Sequence, residues 1–226
     1  MVDTISTLQV ELLNDAMWLE GRSDDALVDG ANLAAVGPEL IQFGAVEALG
    51  ERRFRLSRLL RGRRGTEWAT GSHEAGEPFT LITRETLAAF EAPAGIEVQL
   101  LASGVGDIPD AASVSRAVDA EVLRPPSPVH LTALEAPDGS LVIAWVRRSR
   151  QGWTWADGVE TPLGEEAETY RLTIAGPGFE RKIETATPGH IYTAAERAVD
   201  GPGPLAVSVT QAGSFALSRP ATLIVD

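Results

Sequence analysis

No stretch of this chain keeps one pattern for long. Short segments rich in Val, Ile, Leu, Thr and aromatics alternate with breaks made by 22 glycines and 14 prolines spread over all 226 residues. That texture predicts strands joined by turns, because glycine takes φ values other residues avoid and proline cannot donate to a strand ladder. The period is clearest at Arg53-Phe54-Arg55-Leu56-Ser57: Phe54 and Leu56 share one face, Arg53, Arg55 and Ser57 the other, as in a sheet buried on one side. Strands are expected over residues 7–12, 16–20, 32–36, 39–43, 53–59, 79–82 and 96–101, with a single short helix over 83–90 capped by Thr83. The expected fold class is all-β.

From Gly104 to Pro128 the apolar pattern gives way to Gly, Asp, Ser and the prolines Pro125, Pro126 and Pro128, which places a domain boundary there. The reading is a small β-barrel-like body over residues 1–115, a stiff proline-rich linker over 116–127, and a second body over 128–226. In the second body the Asp138-Gly139 turn between alternating runs marks a hairpin, and about seven strand signals in roughly 100 residues are what an immunoglobulin-like sandwich requires.

Charge and composition exclude several roles. A net charge of −13 argues against nucleic acid and anionic lipid as partners, since such binding grows with the number of phosphates a basic surface neutralises. No apolar run approaches the roughly 20 residues that span a bilayer, and the N-terminal stretch, carrying Asp3 and Glu11, lacks a signal peptide's basic start, so neither membrane insertion nor signal-directed export is expected. With no cysteine there is neither a thiol nucleophile nor a disulfide framework. His73, His130 and His190 fall in no metal-ligand spacing, and no nucleophile elbow, phosphate-cradling loop or calcium loop is present. The chain is therefore read as a non-enzyme with no cofactor and no metal.

Three constellations remain. Arg52, Arg53, Arg55, Arg58, Arg61, Arg63 and Arg64 crowd into thirteen residues, after a stretch that holds one basic residue against ten acidic ones. Guanidinium forks can bind phosphate, but an acidic molecule repels a polyanion, so the favoured reading is pairing with the acidic strands before them or with an acidic partner subunit. Arg53, Arg55, Arg63 and Arg64 are the partner-binding candidates. Within the run, Arg61, Gly62, Gly65, Thr66 and the later His73 read as a rigid turn, with glycines where φ turns positive. The third constellation is Arg150 with Trp153 and Trp155, which share one face of any extended segment; arginine and tryptophan are the usual material of binding hot spots, and the same indoles can stack on sugars. Trp145, by contrast, reads as the core tryptophan of the sandwich.

These residues also carry a family resemblance. Glu39-Leu40-Ile41-Gln42-Phe43-Gly44, then Arg55-Leu56-Ser57-Arg58-Leu59-Leu60-Arg61-Gly62-Arg63-Arg64-Gly65-Thr66-Glu67-Trp68, with His73 and Gly76 beyond, resembles the C-terminal part of the large baseplate, or "megatron", protein of alphaproteobacterial gene transfer agents and related siphophage tail-tip host-specificity proteins. Pro128-Val129-His130-Leu131, the run Trp145 to Arg150, Pro162-Leu163-Gly164-Glu165 and Glu168-Thr169-Tyr170 resemble the same family's terminal fibronectin-like module. The resemblance implies a fibronectin type III-like second domain and a structural tail-tip component assembled in the bacterial cytoplasm. It further implies docking to hub and fibre proteins, a homotrimer in the particle, and presentation of a surface to the host envelope. The alternative reading, from the residues themselves, is a carbohydrate-binding module that recognises a cell-surface glycan through Trp153 and Trp155. Family members are several times longer, so the chain is expected to be an excised piece or a separately encoded subunit. The second module lacks the tyrosine expected before Ala206, and its stretch between Trp145 and Tyr170 is long.

Overall fold

The structure is a computed structural model describing residues 2–88, 90–106, 113–119, 121–151 and 161–226. It divides into two compact units, Met1–Phe90 and Glu91–Asp226.

The first unit is built on β1 (Leu8–Glu11), β2 (Leu33–Val36), β3 (Glu39–Gly50), β4 (Arg53–Leu60) and β5 (Phe79–Leu81), all antiparallel, in the order β1-β4-β3-β2-β5. The outer strands β1 and β5 do not pair with each other, so no hydrogen-bonded closure makes this sheet a barrel. Val10, Ile41, Phe43, Phe54, Leu56 and Leu59 form its core. Leu56 and Leu59 both point inward although three residues apart, because Arg58 takes a left-handed φ of 54° and resets the alternation. Gly44, which lies between the Phe43–Leu59 and Ala45–Ser57 pairs, makes room: a Cβ there would lie 3.3 Å from the Arg58 Cβ.

Residues 16–20, expected as a strand, run as a turn and irregular chain, and of the expected helix over 83–90 the described residues 83–88 and 90 form a turn and irregular chain. In the latter, the Thr86 hydroxyl bonds the Thr83 backbone, the local competition by which threonine displaces helical bonds. A helix that the strand pattern concealed, α1 (Asp24–Val28), starts at Ser23, whose hydroxyl accepts from Ala26 N. The buried Gln42 amide holds it down by donating to Leu27 O and Ala31 O, each at 2.7 Å.

The second unit begins with β6 (Glu97–Leu101) and β7 (Ser113–Ala117), a separate two-stranded ladder. The unit boundary thus falls at Phe90/Glu91 and not within 116–127. A physical reason is that, among the described residues, β6 pairs with β7, and residues 121–125 of the expected linker are tied to the segment 213–219 of the same unit. Arg124 donates to Leu217 O at 2.6 Å, Glu121 pairs with both Arg124 and Arg219, and a side chain on Gly213 would collide with Pro125.

Beyond it, β8 (Val129–Glu135), β9 (Leu141–Val146) and β12 (Gly189–Tyr192) form one sheet, ordered β12-β9-β8. The strands β10 (Tyr170–Gly176), β11 (Phe179–Thr185), β13 (Leu205–Gln211) and β14 (Ala221–Val225) form the other, ordered β11-β10-β13-β14. This is a fibronectin type III-like sandwich. Its core alternates strictly: Leu141, Ile143 and Trp145 from β9 meet Tyr170, Leu172 and Ile174 from β10 and Val207 and Val209 from β13. Trp145 packs edge-on against Tyr170 at 5.1 Å, as expected of a core tryptophan. A second unpredicted helix, α2 (Ala194–Asp200), opens with a capping box between Thr193 and Glu196.

Candidate functional site

The arginine-rich turn after β4 is organised around a residue that the sequence reading passed over as an ordinary strand position. Glu39, the first residue of β3, has no solvent exposure. A buried carboxylate survives only where donors replace its water. Here Arg61 donates from Nε at 2.8 Å and Nη2 at 2.7 Å, Gly62 N at 2.6 Å, and His73 Nε2 at 2.5 Å. Burial alone would raise the Glu39 pKa; the Arg61, His73 and Gly62 hydrogen bonds outweigh it and hold the carboxyl below its ordinary range. The other nitrogen of His73 reaches Glu77 at 2.6 Å. With a carboxylate on each ring nitrogen the imidazole carries both protons, and Glu77 first, then Glu39, raise its pKa.

The structure brings Arg61, Gly62, Thr66 and His73 of the expected turn together around Glu39 and β3, with Gly65 at the turn's end. Gly62 and Gly65 have φ of 58° and 88°, and a Cβ on Gly62 would come within 2.7 Å of the Glu67 backbone. Thr66 Oγ1 accepts from Leu40 N at 2.9 Å while donating to Arg63 O at 2.8 Å, so one hydroxyl joins turn to strand. Arg61 also reaches Thr70 O at 2.9 Å. His73, far along the chain, thereby pins the loop onto β3. The arrangement fixes shape: its donors and acceptors are directed at each other.

The remaining arginines divide into two groups. Arg52 pairs with Glu11 at 3.4 Å, Arg53 with Glu51 at 2.9 Å and Arg55 with Glu47 at 2.7 Å, and Arg58 pairs with Asp24. These realise the pairing with nearby acidic residues, and they place Arg53 and Arg55 in ion pairs of their own unit. Arg63 and Arg64, at the turn's tip, make no side-chain ion pair among the described residues, and Arg64 is held at a left-handed φ of 55°.

In the second unit Arg150 is also engaged internally. It donates from Nε to Glu165 at 2.8 Å and from Nη2 to Gly164 O at 2.8 Å, while Ser214 N donates to the other Glu165 oxygen at 2.8 Å. The Glu165 side chain is 1% exposed. Burial opposes its ionisation, but Ser214 and Arg150 keep its pKa low. Trp153 and Trp155 lie outside the described residues. Glu39 and Glu77 were missed because a carboxylate in an acidic chain stands out only when its donors are known. For Glu39 a signal was available, since it opens a run in which Gln42 is the one other polar residue before Glu47.

Tyr170 and Tyr192, buried hydroxyls that a cleft would use, donate to Glu168 and Asp200, each at 2.6 Å. Burial and the Asp200 carboxylate push Tyr192 up to about 12. Among the described residues no group of three or more His, Asp or Glu side chains is disposed to hold a metal ion.

Fold and site together define an all-β protein whose first unit is braced by a buried charged turn and whose second is a fibronectin type III-like sandwich. Residues 1–80 match the family described as "Rcc01698-like, C-terminal", a family of gene transfer agent type. No curated protein matches the chain. Among solved structures, domains d3–d4 of the rat CD45 extracellular region are similar at 14% identity over 64% of this chain and 72% of that one, with a TM-score of 0.33. A myokine structure is similar at 15% identity over 45% and 96%, with a TM-score of 0.31. A fibronectin type-III domain of a human fibronectin type III domain containing protein is similar at 13% identity over 45% and 84%, with a TM-score of 0.29.

Proposed function

We propose that the chain is a structural component of a phage-like tail tip or baseplate, of gene transfer agent or siphophage type, which docks onto a hub and presents a surface to fibres or a host envelope. It performs no catalysis and assembles as a homotrimer about the tail axis. The observation that carries this reading is the match of residues 1–80 to the Rcc01698-like C-terminal family, the region in which the buried turn stands. The geometry supports it: polar side chains of that turn lock backbone in place, as a display scaffold requires. Arg63 and Arg64 are the docking residues of this reading, because neither guanidinium makes a side-chain ion pair among the described residues and each can therefore meet an acidic neighbour.

Purified particles carrying an epitope-tagged chain test the placement. Gold label at the tail tip is expected, and a chain absent from particles overturns the reading. Double reversal, Arg63→Glu with Arg64→Glu, should slow hub association at low salt with little effect at high salt; unchanged association removes those two residues from the docking role.

A further inference from the structure

The geometry points to a saccharide-binding subsite on the first unit, formed by Trp18 and the tip of the β3–β4 hairpin. Trp18 is 64% exposed, yet its orientation is fixed: it meets the buried Phe54 ring at 5.1 Å and 87°, a contact that leaves an indole face open. The segment carrying it is pinned to the hairpin, with Leu12 N donating to Arg52 O at 3.0 Å and Arg52 Nη1 to Leu13 O at 3.0 Å. A cavity of about 270 Å³ lies against Trp18, Met17 and Phe54, and a more polar one of about 570 Å³ adjoins it. The two share Asp15, Glu51, Arg52 and Arg53.

An aromatic platform beside planar carboxylates and guanidinia matches a pyranose. The ring's C–H face carries partial positive charge and lies on the indole's negative face, while its hydroxyl edge meets the polar groups. The charge pattern selects among ligand classes. Arg52 and Arg53 already pair with Glu11 and Glu51, and Asp15 lies 3.8 Å from Arg52. An anion entering here would compete with three carboxylates. A hydroxyl both donates and accepts, so a neutral sugar inserts into these pairs without stranding a charge. The assignment concerns Trp18, not the tryptophans near Arg150, and stands whether or not the chain belongs to a tail.

The test is ligand-observed saturation-transfer NMR on the full chain with maltotriose, cellotriose and chitotriose. At least one should receive saturation, strongest at its ring C–H protons. Trp18→Ala should weaken binding by about tenfold or more, Trp18→Phe should restore most of it while keeping the contact on Phe54, and Asp15→Asn should cost several-fold. The exposure of Trp18 and Asp15 keeps these variants folded, which circular dichroism verifies. Absence of transfer to all three sugars, or equal binding by Trp18→Ala, overturns the proposal. Loss of protein capture by Trp18→Ala without any sugar binding also overturns it, and assigns the patch to protein docking.

Discussion

Glu39 and Glu165 are two buried carboxylates, one in each unit, and each is held by an arginine and a backbone N–H. They differ in what they join. Glu39 begins a central strand and gathers donors from the end of β4, the following turn and the His73 loop, so the whole tip of the first sheet converges on one charge. Glu165 clasps loops at the edge of a sandwich whose core is already apolar and strictly alternating; the reciprocal bond from Glu166 N to Ser214 Oγ shows the same two loops meeting twice. Both units bury an apolar cluster of their own, so the difference lies in connectivity: the first sheet uses its charged hub as framework, joining three segments, whereas the sandwich uses one as a fastener between two loops.

The comparison breaks or holds first at Glu39→Ala. That change strands Arg61 and the Gly62 N–H. Removing one partner of a buried pair costs about 3–5 kcal/mol, and the lower end is expected because the Arg61 side chain keeps 23% exposure. Native-state hydrogen exchange on the full chain should register the loss at Leu40 and Phe43 but not at Leu172 or Val209. Losses spread equally over both units would erase the distinction drawn here.

A smaller effect is expected from Glu165→Gln, which keeps the shape and removes the charge. Weakened bonds from Arg150 and Ser214 should cost about 1–3 kcal/mol, confined to the amides around Gly164 and Ser214. A global loss of protection across β10 and β13 would make Glu165 part of the framework after all.

How much of this was legible follows from the kind of force involved. The sandwich strands were readable because burial on one face imposes a period of two, visible from Leu141 to Trp145 and from Tyr170 to Ile174. The turn was readable because Gly62 and Gly65 are needed at positive φ. Glu39 was not, since its donors lie 22 and 34 residues away and only the fold brings them together. Arg150 was visible, but its pairing with Glu165 was not: composition marks an arginine as binding material without saying whether a carboxylate for it lies in the same chain. The helix α2 had its signal, Thr193 followed by Glu196, overlooked among strand patterns.

The finest discrimination between the two hubs is their pH dependence, because only Glu39 has an imidazole among its donors. His73 has its folded pKa raised above the ordinary 6.5, so its contribution is fully present below that value and is lost as pH rises through the raised one. Glu39 has a lowered pKa, so its contribution is present above the ordinary 4.5 and is lost as pH falls through the lowered value. Between these limits both groups are charged and the His73 loop is closed onto β3. Raising the pH above neutrality should therefore reduce exchange protection at Leu40, beyond the intrinsic acceleration of exchange, while leaving the Ser214 amide unaffected. His73→Gln should abolish that alkaline slope while retaining the acid one, since glutamine can still donate to Glu39 but has no proton to lose in this range. An alkaline slope that persists in His73→Gln would mean that the loop is held by something other than its imidazolium, and the first unit's hub would then differ from the second only in its number of donors.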